Sequence, residues 1–322
     1  MHTAVRSLLL IAGFVLAGAV CAQPYPSRTV RWIVPYAAGG GSDALARVIL
    51  PALSRELGQP VVIENKPGAA SAIAAAEVAR AAPDGYTIFS ADNGTLVYNP
   101  ALYRKLPYDP AKDFAPVSLM GRLPTILVAG PASPAQDLLQ LVQSVKAEPG
   151  RTSYASAGTG SPHAMAMELF KTQAGLNMIH VPYRGGALSL QDVAAGQVPI
   201  TMTDFAGGGG LIKGGKVRPL AVANARRLEQ LPNVPTFAEL GYKEVLAEAF
   251  AGIVVPARTP PEVIARLQSA VQAAVHDPAI KAKLVEIGYE PVGGTPQQFA
   301  AVLQQEIPRW HKLIRDLNIS LD

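Results

Sequence analysis

The sequence predicts an α/β fold in two lobes, joined by two crossings and separated by a hinged cleft. Three observations carry that expectation. Strand-like and helix-like segments alternate along most of the chain, which favours mostly parallel sheets covered by helices. The chain has 322 residues, beyond the roughly 250 to 300 at which a single core stops growing, and 49% of them are hydrophobic, enough for two cores. A Pro-rich stretch from Asn99 to Pro116 interrupts the alternation once, and Pro232, Pro235 and Gly241 interrupt it again, marking an outward and a return crossing.

Composition excludes several classes at once. With 16% charged residues, 29 Gly, 28 Pro and one Cys, the chain is not disordered, collagenous, a coiled coil or a disulfide scaffold. Lys and Arg total 28 against 24 Asp and Glu, a net charge of +4, and neither sign forms a block, so nucleic acid is not an expected partner. At the N-terminus Arg6 precedes an apolar stretch from Leu8 to Val20 that ends in Val20-Cys21-Ala22. That pattern is a secretory signal peptide over residues 1–22, cleaved near Ala22, and it is shorter than the roughly 20 apolar residues needed to cross a bilayer. Cleavage there leaves a cysteine-free chain outside the cytoplasm.

The first lobe opens with the β-branched and aromatic run Val30 to Tyr36. A helix follows from Ser42, with Ala44, Leu45, Val48, Ile49 and Leu53 at helical spacing. Val61 to Glu64 reads as a strand, Gly68 to Ala81 as an Ala-rich helix, and Tyr86 to Ala91 as a third strand. Beyond the Pro-rich crossover, Val117 to Met120 and Thr125 to Ala129 read as two separate strands divided by Gly121 and Pro124. The second lobe repeats the alternation: helix Leu138 to Ala147, strand Thr152 to Ala157, helix Pro162 to Ala174, strand Met178 to Tyr183, helix Leu188 to Ala195, and strands Ile200 to Phe205 and Val217 to Ala223. Ala251 to Val255 is one more buried strand. Three helices follow, Pro261 to Val275, Ala279 to Ile287 and Pro296 to Leu317, which have no strands of their own and are expected to pack back on the first lobe. The lobes therefore comprise residues 23–122 with 247–322, and residues 123–246.

In such sheets ligands sit beyond the carboxyl ends of the strands, where helix N-termini present free N–H groups. Five turns here are built of small polar residues: Pro35 to Asp43, Ser90 to Thr95, Ser156 to Ser161, Tyr183 to Gly186, and Thr203 to Phe205. Each helix end contributes about 0.3 to 1 kcal/mol toward an anion, so several converging on one carboxylate hold it without an arginine clamp. Gly and Ser are also what such turns and N-caps require in any case. Gly39-Gly40-Gly41-Ser42-Asp43-Ala44 satisfies the dinucleotide pattern G-x-G-x-x-A, but Asp43 in the first helical turn opposes a pyrophosphate and more naturally pairs with Arg47. His163, His180, His276 and His311 lack metal-ligand spacing, and no metal is expected. Ser161 two residues before His163 suggests a nucleophile and base, yet an N-cap followed by Pro162 at the first helical position explains both; His163 then either lies near a bound anion or, as a helix start favours, is partly exposed. Asp204, ending its strand, either accepts a hydrogen bond from a ligand nitrogen or caps a turn. Lys213, Lys216, Arg218, Arg226 and Arg227 read as a solvated face.

A longer series of motifs adds to this reading. Pro35-Tyr36 with Gly39-Gly40 and Asp43, Glu64-Asn65-Lys66-Pro67-Gly68-Ala69, Pro83-Asp84-Gly85-Tyr86-Thr87, Asn99-Pro100-Ala101-Leu102-Tyr103, Val181-Pro182-Tyr183-Arg184-Gly185, Gly215 to Val222, and Leu231 to Thr236 occur in order. Together they resemble the extracytoplasmic solute-binding proteins of tripartite tricarboxylate transporters, the TctC or Bug family. Ser71, where that family usually has Gly, and Ala164, where Leu is common, depart from the pattern, so no ligand identity is carried over. The resemblance implies a type II-like periplasmic binding protein fold that closes on a small carboxylate, held by backbone amides and bridging waters of the strand-to-helix turns. On this chain those turns point to Tyr36, Gly40, Ser42, Thr95, Ser156, Gly160, Ser161, Tyr183 and Asp204 as ligand-binding residues. It further implies a periplasmic location, no catalysis, no cofactor, and delivery of a carboxylate, amino acid or related acid or amide to membrane transporter subunits. A monomer is the default expectation. A periplasmic sensor with the same fold, and an exported hydrolase using Ser161 and His163, are the alternatives.

Overall fold

Parallel β-α units build the first sheet. In this computed structural model, which describes residues 25–321, β1 (Val30–Val34) lies between β2 (Val61–Asn65) and β3 (Thr87–Asp92), with Val30 beside Val61 and Arg31 beside Thr87. The signal-peptide segment expected over residues 1–22 lies outside the described residues. Helix α1 (Gly41–Leu57) connects β1 to β2 and buries Leu45, Ile49 and Leu53, the apolar face expected from their spacing.

The helix expected over 68–81 begins late. Only Ala72–Ala79 is α-helical (α2), and the preceding 3₁₀ turn, Ala69–Ser71, holds Ala69, Ala70 and Ser71 at φ 45°, 48° and 73°. Left-handed backbone at a non-glycine residue costs about 1–2 kcal/mol. Tertiary hydrogen bonds offset it: Tyr103 donates to the Ala69 carbonyl at 2.9 Å, Asn99 Nδ2 to the Ala70 carbonyl at 2.7 Å, and the Ser71 and Thr95 hydroxyls meet at 2.8 Å. The Pro-rich stretch carries a π-helical turn (Gly94–Tyr98) and the short helices α3 (Asn99–Leu102) and α4 (Pro110–Asp113).

The two strands expected at Val117–Met120 and Thr125–Ala129 are one. β4 (Phe114–Ala129) runs unbroken for 16 residues, and Pro116, Gly121 and Pro124 are absorbed at register shifts and at a change of partner. From Phe114 to Pro124 it pairs antiparallel with β9 (Glu248–Pro256), and from Thr125 to Ala129 with β7 (Ile200–Asp204) and β8 (Arg218–Val222). The second sheet adds β5 (Ser153–Ser156) and β6 (Ile179–Pro182) in parallel, giving the overall path β2-β1-β3-β9-β4-β7-β5-β6. β4 thus belongs to both sheets, and the chain returns to the first along β9.

Helices α5 (Leu138–Ala147), α6 (Pro162–Ala174) and α7 (Gly186–Ala194) follow the expected alternation, the last starting two residues early. α8 (Phe205–Lys213) was not expected, because Gly207 to Gly210 disfavour a helix. It forms because the Asp204 carboxylate accepts from Gly207 N–H at 2.7 Å and because Phe205 and Ile212 are buried. The C-terminal helices α9 (Pro261–His276) and α10 (Pro278–Glu286), the two-residue strand β10 (Glu290–Pro291) beside β4, and α11 (Pro296–Asp316) pack on the first sheet, as expected. Val263, Leu267 and Val271 of α9 share one buried cluster with Leu45 and Ile49 of α1, whereas Trp310 of α11 packs edge-on to Tyr98 at 5.0 Å. Among the described residues no helix is long and apolar enough to cross a membrane.

Candidate functional site

Four helices start at the seam between the two sheets. α1 has Gly40 as its N-cap and α7 has Gly185, neither with a capping side chain, so their first-turn N–H groups retain hydrogen-bonding capacity for a ligand. In α6 the Ser161 hydroxyl accepts from Ala164 N–H at 3.2 Å, with Pro162 at the first helical position, and in α8 Asp204 is the cap.

The turn into α1 is rigidly tied. Gly39, at φ 86°, donates to Asp43 Oδ2 at 2.9 Å; Arg47 Nε donates to the same oxygen at 2.8 Å; Asn65 Nδ2 donates to Asp43 Oδ1 at 3.0 Å and to the Tyr36 carbonyl at 2.9 Å. Burial alone raises the Asp43 pKa, but these donors outweigh it and hold the carboxyl below its ordinary value. A depressed folded-state pKa gives stability that is present at neutral pH and lost as pH falls through that value, below about pH 4. Urea unfolding at pH 6 and at pH 3 should therefore show an acid-side loss that is smaller in Asp43→Asn.

The helix starts border a cavity of about 60 Å³. Tyr36, Gly40, Gly41, Ser42 and Asp92 line it from the first sheet; Ala157, Ser161, His163, Gly186 and Asp204 line it from the second; Leu123, Ala249 and Phe250 contribute from the crossing strands. At about 10–15 Å³ per water, it has room for roughly four water molecules or a small polar group. The two sides touch. A Cβ added at Gly41 would lie 2.7 Å from Asp204 Oδ2, one added at Gly160 would lie 2.8 Å from the Ala70 Cβ, and Arg226 meets Glu290 at 3.2 Å.

Asp92 anchors one wall. Its Oδ2 accepts from Tyr36 hydroxyl at 2.6 Å, and its Oδ1 accepts from Thr95 N–H and hydroxyl at 3.0 and 3.1 Å. Burial pushes the Asp92 carboxyl above its ordinary pKa despite these donors; burial, then the charge of Asp92, pushes the Tyr36 phenol far up, so Tyr36 remains a donor. On the opposite wall His163 is 9% exposed, not partly exposed as its place at a helix start suggested. The reason is Asp204, whose Oδ2 lies 3.0 Å from His163 Nε2. Among the described residues no hydrogen bond joins Ser161 to His163; the imidazole turns to Asp204 instead.

Of the nine residues singled out from sequence, Tyr36, Gly40, Ser42, Ser161 and Asp204 share the cavity. Thr95 lies behind Asp92. The Ser156 hydroxyl is 2.6 Å from His180 Nε2 and accepts from Gly158 N–H, within the turn. Gly160 packs at the seam against Ala70 and Asn99, and the Tyr183 hydroxyl donates to Asp192 at 2.7 Å beside a separate space of about 300 Å³. Both readings of Asp204 concern the same atoms: it caps α8 and it faces the cavity. Asp43 and Arg47 pair as their spacing suggested. Phe250 and Tyr289 were not singled out; Tyr289 reaches the site from the C-terminal segment, donating to the Gly41 carbonyl at 2.9 Å, and no local motif signals that. Among the described residues no cluster of three or more His, Cys, Asp or Glu is placed to hold a metal ion.

Residues 45–319 match the family described as tripartite tricarboxylate transporter family receptor. Solved structures agree along most of the chain. Rpa4515 from R. palustris, with adipate, is 36% identical with a TM-score of 0.89, covering 92% of this chain and 99% of that one. The periplasmic binding protein BugD is 32% identical with a TM-score of 0.88, covering 92% and 99%. MatC (Rpa3494) from Rhodopseudomonas palustris, with bound malate, is 33% identical with a TM-score of 0.86, covering 90% and 100%.

Proposed function

This chain belongs to the tripartite tricarboxylate transporter receptor family, whose members are solute-binding proteins, and on that premise we propose that it captures a small carboxylate between its lobes and delivers it to a tripartite tricarboxylate-type membrane transporter. The observation that carries the reading is the convergence of helix starts from both sheets on one small cavity, two of them with glycine N-caps. N–H groups and helix dipoles fixed in a buried site hold a carboxylate more strongly than the same groups in water. Adipate on Rpa4515 and malate on MatC support the same ligand class here.

The mechanism is closure. Contacts from α1 on one side and α6, α7 and α8 on the other are made together only when the lobes meet, so a ligand spanning them stabilises the closed arrangement over the open one. The lobe boundaries fall at 122/123 and 246/247, close to where β4 exchanges β9 for β7. The two linking strands act as the hinge. The protein acts as a periplasmic monomer after removal of residues 1–22, and the transporter reads the closed shape.

A thermal-shift screen of the mature protein, unfolded and refolded to strip retained ligand, tests this against mono-, di- and tricarboxylates, amino acids and amides. At a hundredfold excess over its Kd a true ligand adds about 2.7 kcal/mol of stability. A hit among the acids is expected. Hits confined to other classes would sink the reading.

A further inference from the structure

The cavity at the helix starts suits one carboxylate but not two. It measures about 60 Å³, and its lining includes Asp92 and Asp204 but no Lys or Arg. Both acids are already engaged: Tyr36 and Thr95 donate to Asp92, and Gly207 N–H donates to Asp204, whose other oxygen faces His163. One carboxylate can rest on the first-turn N–H groups of α1 and α7, but a second negative charge finds no counter-charge there.

The space of about 300 Å³ beside Tyr183 has the opposite character. It adjoins the cavity, because Tyr36 and Ala157 line both. It is also walled from both sheets, by the turns that follow β1 and β2 on one side and β5 and β6 on the other. Among the described residues no Asp or Glu lines it, and one cation does, Arg184. Arg184 is exposed, and among the described residues its guanidinium has no ion pair or hydrogen bond. Its neighbours are committed elsewhere. Arg47 pairs with Asp43 and Lys66 with Glu77, while Asp192 accepts from the Tyr183 hydroxyl at 2.7 Å. Pro67, Pro182 and Leu321 give the same space apolar wall, which suits methylene groups.

We infer that this space seats the second carboxylate of an aliphatic dicarboxylic acid, with Arg184 as its counter-charge, the ligand running from the helix starts past Tyr36 and Ala157. The inference rests on the carboxylate reading of the cleft and narrows it from acids in general to diacids. A guanidinium offers a carboxylate two parallel N–H donors, a match that an ammonium lacks. Because Arg184 is exposed, solvent screens the pair, and its contribution is about fivefold to tenfold in Kd.

Adipate and hexanoate have carbon chains of equal length and differ by the second carboxylate, so titration calorimetry of the stripped protein with each isolates that group. Arg184→Gln should raise the Kd for adipate about fivefold to tenfold and change that for hexanoate by less than about twofold. Arg184→Lys should recover part of the loss, and the gap between parent and Arg184→Gln should narrow at about 1 M NaCl, where charges are screened within about 3 Å. An adipate Kd unchanged in Arg184→Gln, equal weakening of both acids, or binding of hexanoate without adipate overturns the inference while leaving the carboxylate reading intact. If neither these two acids nor any other carboxylate binds the parent, both fall.

Discussion

Gly41→Ala is expected to weaken carboxylate binding by about 5- to 150-fold, the equivalent of about 1–3 kcal/mol of overpacking, without destabilising the ligand-free protein. The added Cβ would lie 2.7, 2.8 and 2.9 Å from Oδ2, Oδ1 and Cγ of Asp204 on the opposite wall. Asp204 cannot easily turn aside, because Gly207 N–H and His163 hold its two oxygens at 2.7 and 3.0 Å. Either the lobes stop short of closure or the α8 cap and the His163 pair are broken, and binding suffers in both cases. With the lobes apart the contact with Asp204 is lost, and alanine is the better helix former at the start of α1. Titration calorimetry of the variant, beside urea unfolding without ligand, separates the two effects. Equal loss of stability and affinity would show that the contact is part of the fold and not of closure.

Trp310→Ala is expected to cost about 3–5 kcal/mol of folding stability, a large share of the roughly 5–15 kcal/mol that holds a typical domain together. Trp310 is 1% exposed, packs edge-on to Tyr98, and donates from its indole nitrogen to Glu306 at 2.6 Å. One position on, His311 Nε2 meets the Val97 carbonyl at 2.8 Å. Helix α11 therefore braces the π-helical turn that begins beside Asp92 and Thr95, which links this distant core residue to the wall of the cavity. A fall in the urea midpoint with little change in slope is the expected signature. A shift below about 1 kcal/mol would mean that α11 is docked by other residues.

Much of the fold was legible because each β-α unit writes its own signal: β-branched runs, then apolar residues at helical spacing, with glycines between. What sequence did not reveal depends on partners far along the chain. β4 reads as two strands because Pro116, Gly121 and Pro124 are breakers locally; only the pairing with β9 and then β7 makes them one. α8 is hidden by four consecutive glycines and exists through a cap and buried neighbours. At the site, the turns that close the cavity were recognisable from their small polar residues. The burial of His163 was not, because its partner Asp204 stands 41 residues away, and Tyr289 comes from beyond both crossings.

Small-angle scattering of the stripped protein with and without a saturating acid identified by thermal shift tests the central claim most directly, because the claim is that the lobes close on a carboxylate. The radius of gyration should fall when the acid is added, and should stay at the ligand-free value in Gly41→Ala at the same acid concentration. An acid that stabilises the protein without compacting it, or compaction equal in parent and variant, would contradict capture by closure.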